Sequence, residues 1–330
     1  MISAIKSMIS FEVGRNPRVM PRPADPRAFL PSGVDGVIIF SADFELGWAW
    51  RYAKGLTDPR AESEAYARRA RTNIPVILEL CERHDMPITW ATVGHLFLDH
   101  CTKSADGLAH PHLRRLPYFE NKWWRYATGD WFEYDPCSSL QENDAWYAPD
   151  LVQQIIDSPV AHEIGCHTFS HIDCRDEVCP PAVMESELQA SREAAGHFGL
   201  QLESFVFPGH TMGNFKTLRA QGYTSVRTNY INEIGYPHKD EHGLWRFPAT
   251  AEIIMNPAWS EKYNLYRFRK IIDRTVKHRA VANLWFHPSL PPRTVPVLFE
   301  TIFKHLHTYG RRVWVTTMRE YTRWLEDKGA

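Results

Sequence analysis

The sequence predicts one parallel β-sheet covered by helices and closed into a barrel. Two observations lead there. Apolar, β-branched runs alternate about seven times with stretches of helical spacing, the pattern of repeated βα units. Residues suited to catalysis follow four different runs: Asp43 and Glu45, His167 and His171, His210, and His287. A barrel gathers every strand end at one mouth, whereas an open sheet concentrates its site at a single switch point.

The elements follow in order. Residues 1–35 carry Pro17, Pro21, Pro23, Pro26 and Pro31, lack a period, and read as an extended arm on the main body. The run from Gly36 to Ala42 reads as a buried strand ending on Asp43-Phe44-Glu45. Ala65, Ile74, Val76, Ile77, Leu80 and Cys81 give residues 61–85 helical spacing, with Pro75 expected to kink or split the helix. A second strand runs from Ile88 to Gly94. Residues from about 100 to 146 break the rhythm with Pro111, Pro117, Pro136 and many aromatic rings, and read as an ordered insertion over a site.

A helix over 149–157 leads to the strand before His167. Helix 181–198 precedes a strand from Ser204 to Phe207, which ends at Pro208-Gly209-His210. Helix 214–221, a strand from Thr224 to Arg227, a strand from Leu244 to Phe247 and helix 261–278 come next. The strand from Ala280 to Phe286 ends at His287-Pro288. Helix 294–309, a strand from Val313 to Thr316 and helix 318–327 close the chain. The expected organisation is an N-terminal arm, 1–35, and one domain, 36–330, with its insertion at about 100–146.

Composition bounds the partners. The chain has 330 residues, 44% hydrophobic and 23% charged, as a protein with a real core should have. A net charge of -1 gives no reason to expect a nucleic acid partner. The first twenty residues hold no apolar stretch of signal-peptide length, and no run is long enough for a membrane span, so the cytoplasm is the expected location. Six cysteines do not read as a disulfide framework. Cys166, Cys174 and Cys179 flank the central histidines, but none is two to four residues from another, so they are expected as buried thiols rather than zinc ligands.

The chemistry centres on His167-Thr168-Phe169-Ser170-His171. Two histidines four apart can share one turn of helix and grip one divalent metal. Asp43 and Glu45, two apart, leave a strand on one face. Glu45, His167 and His171 together form a two-histidine, one-carboxylate set with open positions for water and substrate. Asp43 beside that water suits a general base, and His287 suits an acid that protonates a leaving amine. Twelve tryptophans cluster about these runs; stacking on sugar rings is one use of such residues and core packing is the other.

These residues resemble the polysaccharide deacetylase family, the NodB-homology group, also called carbohydrate esterase family four. The segment from Phe40 to Glu45 is similar to its first motif, His167 to His171 matches H-[ST]-x-x-H, Phe205 to His210 sits where the third lies, and Leu284 to Pro288 matches L-x-x-H-P. The resemblance implies a deformed (β/α) barrel of about seven strands and a metal-dependent hydrolase that removes an N-acetyl group from an amino sugar or related amide with a metal-bound water. It implies Asp43 as base, His287 as acid, and one divalent ion on Glu45, His167 and His171. Zinc is the expected ion, with cobalt or another divalent ion as the alternative. O-acetyl esters and N-formyl groups are alternative substrates, and a non-catalytic carbohydrate-binding protein is the reading from a different class.

Two departures stand out. The commonest first motif has adjacent aspartates, and Phe44 occupies the second place; Asp43-x-Glu45 resembles the Asp-x-Asp form of other members. The third motif often supplies an arginine that orients the base, and Gly209 and His210 stand there instead, which makes Arg246 or another cation the expected substitute. Substrate contacts are expected from His210, Trp48, Trp124, Trp131, Arg246 and Trp285, with Trp50, Trp123 and Trp146 as further rings of the insertion wall. About half of the insertion tryptophans are expected in the core. The expected partner is a small or oligosaccharide substrate.

Overall fold

The computed structural model describes residues 5, 6, 9, 18, 19, 23–230 and 233–328. Seven parallel strands form the barrel: β1 (Gly36–Phe44), β2 (Thr89–Thr92), β3 (Glu163–Cys166), β4 (Ser204–Val206), β5 (Ser225–Tyr230), β6 (Trp245–Glu252) and β7 (Val281–Phe286). Their order is β6-β7-β1-β2-β3-β4-β5, and β5 pairs back onto β6 to close the ring. An eighth parallel strand, β8 (Val313–Thr316), pairs only with the first half of β1. The helices are α1 (Pro59–His84), α2 (Pro149–Ile156), α3 (Pro181–Gly196), α4 (Phe215–Ala220), α5 (Glu261–His278), α6 (Thr294–His307) and α7 (Met318–Asp327). None among the described residues is long and apolar enough to cross a membrane.

The alternation within β1 explains where the site lies. Ile38, Phe40, Ala42 and Phe44 belong to the large cluster shared with the helices, while Val37 and Ile39 belong to a second cluster with Val206, Phe247 and Val281. Strand side chains alternate in this way with a period of two. Continuing the inward row past Ile39 gives Ser41 and Asp43, so the barrel interior is apolar at its lower end and polar at its upper end. The lower end is plugged by Met318, Tyr321 and Leu325 of α7. Glu163 anchors that helix, accepting from the Arg319 N–H at 2.9 Å, as suits a carboxylate at a helix N-terminus.

Several local expectations change. Helix α1 runs unbroken through Pro75, so that proline does not split it. Its start is set by Asp58, whose side chain accepts from the Ala61 N–H at 3.0 Å, and its end by Asp85 at φ 50°. Strand β6 continues to Glu252, five residues past the predicted end at Phe247. Arg18–Val19 pairs in parallel with Glu233–Ile234, and the rest of the arm before residue 23 lies almost wholly outside the described residues. The insertion contains two short antiparallel strands, Phe119–Glu120 and Arg125–Tyr126, and otherwise turns. Trp124, Tyr126, Trp131, Phe132 and Trp146 anchor it in the main core. Each large apolar side chain so buried stabilises the arrangement by roughly 1.5–3 kcal/mol.

Candidate active site

Register sets the residues at the upper mouth. Ala42 of β1 faces Phe286 of β7, which brings His287 level with Asp43. Thr92 of β2 faces Cys166 of β3, so His167 leaves the barrel next to the same point. The Nε2 atoms of His171 and His167 lie 3.0 and 3.3 Å from one oxygen of Glu45, Oε2. His287 Nε2 lies 3.3 Å from the other oxygen, Oε1, and 4.0 Å from Asp43 Oδ2. Glu45, His167 and His171 offer three ligand atoms that all lie within 4.8 Å of one another.

The histidine pair is not helical. Thr168 to Ser170 form a turn, with Thr168 at φ 59° and His171 at φ 55°. A helix would have put both imidazoles on one face of a cylinder; here a tight turn aims both at Glu45. The turn is held from below. Glu187 of α3 accepts from the Ser170 N–H at 2.8 Å and from its hydroxyl at 2.7 Å. Trp131 Nε1 donates to Ser170 Oγ at 2.9 Å, and Arg51 Nη2 donates to the Ser170 carbonyl at 2.7 Å. Arg51 is itself buried between the rings of Trp48 and Trp131, 4.8 and 4.4 Å from their centroids. Gly94 allows α3 to come this close, since a Cβ there would stand 2.6 Å from Ser191 Oγ and 3.0 Å from Phe169 Cα.

The electrostatics assign protonation states. His167 Nδ1 is 2.8 Å from the Val206 carbonyl, which only an N–H can satisfy. Its Nε2 then presents a lone pair to Glu45 unless a proton is added, so a shared cation, proton or metal, belongs between them. This donor set suits a divalent ion: a second ring nitrogen anchored on a carbonyl is the usual support of a ligating histidine. Burial keeps His171 neutral, with its pKa pulled down to about 4. Burial opposes ionisation of Glu45, but the charge of His287 and the close approach of the His167 and His171 imidazoles outweigh it and hold the carboxyl well below its usual range. Burial likewise opposes charge on His287, and Glu45, Glu252 and Asp43 overcome it, pushing its pKa up to about 9.

Asp43 is paired with Arg227, a residue that the sequence reading left without a role. Arg227 Nη1 and Nη2 lie 2.7 Å from Oδ1 and 2.7 Å from Oδ2, and Nη1 also donates to Ser41 Oγ at 3.0 Å. Burial alone would raise the Asp43 pKa; the Arg227 charge outweighs it and the net shift is downward. The cation expected from Arg246 therefore comes from the middle of β5. Arg246 lies off the site, bonded to Asp240 at 2.9 Å and stacked over Phe215. Glu252 was also missed: at the end of β6, its Oε1 is 3.4 Å from His287 Nδ1.

The predicted aromatic contacts divide. Trp48 and Trp131 are buried, their indole N–H groups taken by the Trp146 carbonyl and by Ser170, which leaves them no face for a ligand. Trp146 is buried as well, and Trp123 is exposed. Trp124 lies at the site, its ring centroid 5.1 Å from that of His171. It packs so tightly on Gly209 (φ 53°) that a Cβ there would stand 2.6 Å from the indole. Trp285 lies between His210 and His287, 4.9 and 5.3 Å from their ring centroids, and carries the Arg227 guanidinium at 4.9 Å. His210, at φ 58°, is half-buried and kept neutral by burial, its pKa pulled down to about 4. Trp50 stands 5.8 Å from His287. A narrow cleft lined by Trp50, Ala70, Pro288 and Ser289 opens beside Asp43 and Glu45.

Comparison with known proteins agrees with this architecture. The family model for polysaccharide deacetylase matches residues 63–226, a span that includes His167 and His171 and stops short of Arg227. The fold is similar to that of a polysaccharide deacetylase candidate from Mycobacterium smegmatis, with 14% identity, 94% of this chain and 96% of that chain covered, and a TM-score of 0.63. A second such candidate, from Pseudomonas aeruginosa PAO1, gives 12% identity, coverage of 91% and 93%, and a TM-score of 0.62. The allantoinase PuuE gives 12%, 92% and 93%, and 0.61. None of the curated proteins matches the chain.

Proposed function

Because the chain belongs to the polysaccharide deacetylase family, a family of hydrolases, we propose that it removes an N-acetyl group from an amino sugar or a related amide with the help of one zinc ion. The observation that carries the reading is the meeting of Glu45, His167 and His171 beside an ion-paired Asp43 and a charged His287. Glu45, His167 and His171 would hold the ion. When bound, it supplies Lewis-acid polarisation of the acyl oxygen and a more acidic water.

The chain's own groups carry the protons. Asp43 is held ionised and oriented by both nitrogens of Arg227, so it accepts the proton of the attacking water. His287 stays protonated at neutral pH and is steered by Glu252 through Nδ1. Its Nε2 proton goes to the departing nitrogen as the C–N bond breaks, giving acetate and a free amine. Trp50, Trp124 and Trp285 surround the mouth with ring faces and edges, which suits a short or free sugar better than a long polymer drawn through an open groove.

The test is Asp43→Asn, assayed on a panel of N-acetyl, N-formyl and O-acetyl substrates by released acid. Turnover should fall about 10²–10⁴-fold, with bound metal per chain unchanged by elemental analysis. Full activity in the variant would sink the assignment of Asp43, and a preference for the ester or formyl arm would redirect the substrate class.

A further inference from the structure

Away from the mouth, at the root of the insertion, a second set of ligand-type side chains converges. His95 stands in the turn Gly94–Phe97 directly after β2. Cys101, His110 and Asp135 come from the insertion. Their ligand atoms and that of His95 all lie within 4.8 Å of one another. His95 Nε2 and His110 Nε2 are 3.1 and 2.9 Å from the same oxygen, Asp135 Oδ2. Cys101 Sγ is 3.5 Å from that oxygen and 3.7 Å from His95 Nε2. Separations of 2.9–3.7 Å bracket the edge of about 3.4 Å expected of a tetrahedron with bonds of about 2.0–2.3 Å.

The supporting contacts have the form that ligating groups need. His95 Nδ1 is 3.1 Å from the Trp146 carbonyl, so it carries the N–H and leaves a lone pair on Nε2 aimed at a carboxylate. The other oxygen of Asp135, Oδ1, accepts from the Cys137 N–H at 2.9 Å and lies 3.3 Å from the Tyr147 hydroxyl, which frees Oδ2 to point inward. His95, His110 and Asp135 are buried and Cys101 is partly so. One thiolate, one carboxylate and two neutral imidazoles carry a charge that a divalent ion balances.

The geometry points to a second metal site: a closed structural zinc site of His95, Cys101, His110 and Asp135 that fastens the insertion to the barrel. Four protein ligands in a buried tetrahedron, one of them a thiolate, are the structural form of zinc binding and leave no position for substrate. The site also supports the mouth. The His95 N–H donates to the Phe169 carbonyl at 3.0 Å, inside the turn that carries His167 and His171.

The experiment counts ions and reads their ligands. The purified full chain should bind two zinc ions, against one in Cys101→Ser and one in His171→Ala. After exchange with cobalt, a thiolate-to-metal charge-transfer band in the near ultraviolet should appear in the wild type and in His171→Ala but not in Cys101→Ser, because the mouth cluster has no sulfur. Chelation should speed proteolytic cleavage within residues 100–146 at least about tenfold. The wild-type titration, spectrum and chelation need no variant to fold. The proposal is overturned if the wild type binds no ion beyond the one that His171→Ala removes, if its cobalt form lacks the thiolate band, or if Cys101 is found in a disulfide with Cys137.

Discussion

Two regions of this molecule are built on one device: a pair of imidazole Nε2 atoms meets a single carboxylate oxygen, and one imidazole of each pair is fixed by a backbone carbonyl through Nδ1. At the mouth the carboxylate is Glu45 and the anchor is Val206; under the insertion they are Asp135 and Trp146. They differ in the use of the second oxygen. Glu45 Oε1 faces His287, with Asp43 and Arg227 behind it, so the mouth cluster opens onto the groups proposed to move protons. Asp135 Oδ1 meets a backbone N–H and a tyrosine hydroxyl, and Cys101 takes the remaining corner. On the proposed readings, the same three-ligand core would serve chemistry where it is left open and fastening where a thiol closes it.

The strongest way to separate the two is Arg227→Met. It leaves Asp43 buried without its counter-ion, a loss of about 3–5 kcal/mol for a broken buried pair, and turnover should drop roughly 10²-fold as the base loses its orientation. The pH sign follows from the downward shift of Asp43. In the wild type its contribution to stability is present above the unfolded pKa and is lost as pH falls through the lower folded value. In Arg227→Met the largest opposition to the burial penalty is gone, so the Asp43 pKa rises: the acid limb of the rate profile should move to higher pH, while the stability deficit of the variant should shrink as pH falls and the buried carboxyl is protonated. Denaturation and rate profiles against pH measure this. The thiolate–cobalt band of the closed cluster should be unchanged; its loss would mean that the two regions do not behave independently.

A smaller effect is expected from Glu187→Ala, which acts on the turn that both regions touch. The Ser170 N–H and hydroxyl lose their shared acceptor, at a cost of about 1–3 kcal/mol for the groups left unsatisfied. Metal affinity at the mouth should weaken while the closed cluster keeps its ion. Equilibrium unfolding and competitive chelation test the two parts. Unchanged affinity would mean that Arg51 and Trp131 alone hold the turn.

What was legible in the chain follows the same division. Barrel strands announce themselves as apolar runs, and residues at or just past their ends, such as Asp43, His167 and His287, are found by reading on from each run. Arg227 is hidden in the sequence because β5 extends beyond it to Tyr230, so a residue at the end of the apolar run points inward from the middle of the strand. Glu252 was hidden because β6 is longer than its most apolar part. The closed cluster was invisible for another reason. Its four members stand at positions 95, 101, 110 and 135, with no short ligand pair between them. Cys166, Cys174 and Cys179, which sit beside the histidines in sequence, prove to be buried free thiols. That is what their spacing predicts; Cys101, the cysteine of the closed cluster, stands far from those histidines in sequence and draws no reading.

The finest distinction lies in how His287 is tuned, and Glu252→Gln isolates it. In the wild type, the carboxylates of Glu45, Glu252 and Asp43 overcome burial and carry the imidazole to about 9. A group that must be protonated to act supports the rate below its pKa and ceases to do so above it, so the alkaline limb of the rate profile should fall near that value. Glutamine retains a hydrogen-bond acceptor 3.4 Å from Nδ1 but removes one negative charge. The limb should therefore move to lower pH by under about one unit, with a loss of less than about tenfold at neutral pH. A profile of kcat/KM against pH reads the shift directly. An alkaline limb that stays in place would show that Glu45 and Asp43, on the other side of the ring, set the acid without Glu252, which would then only orient it.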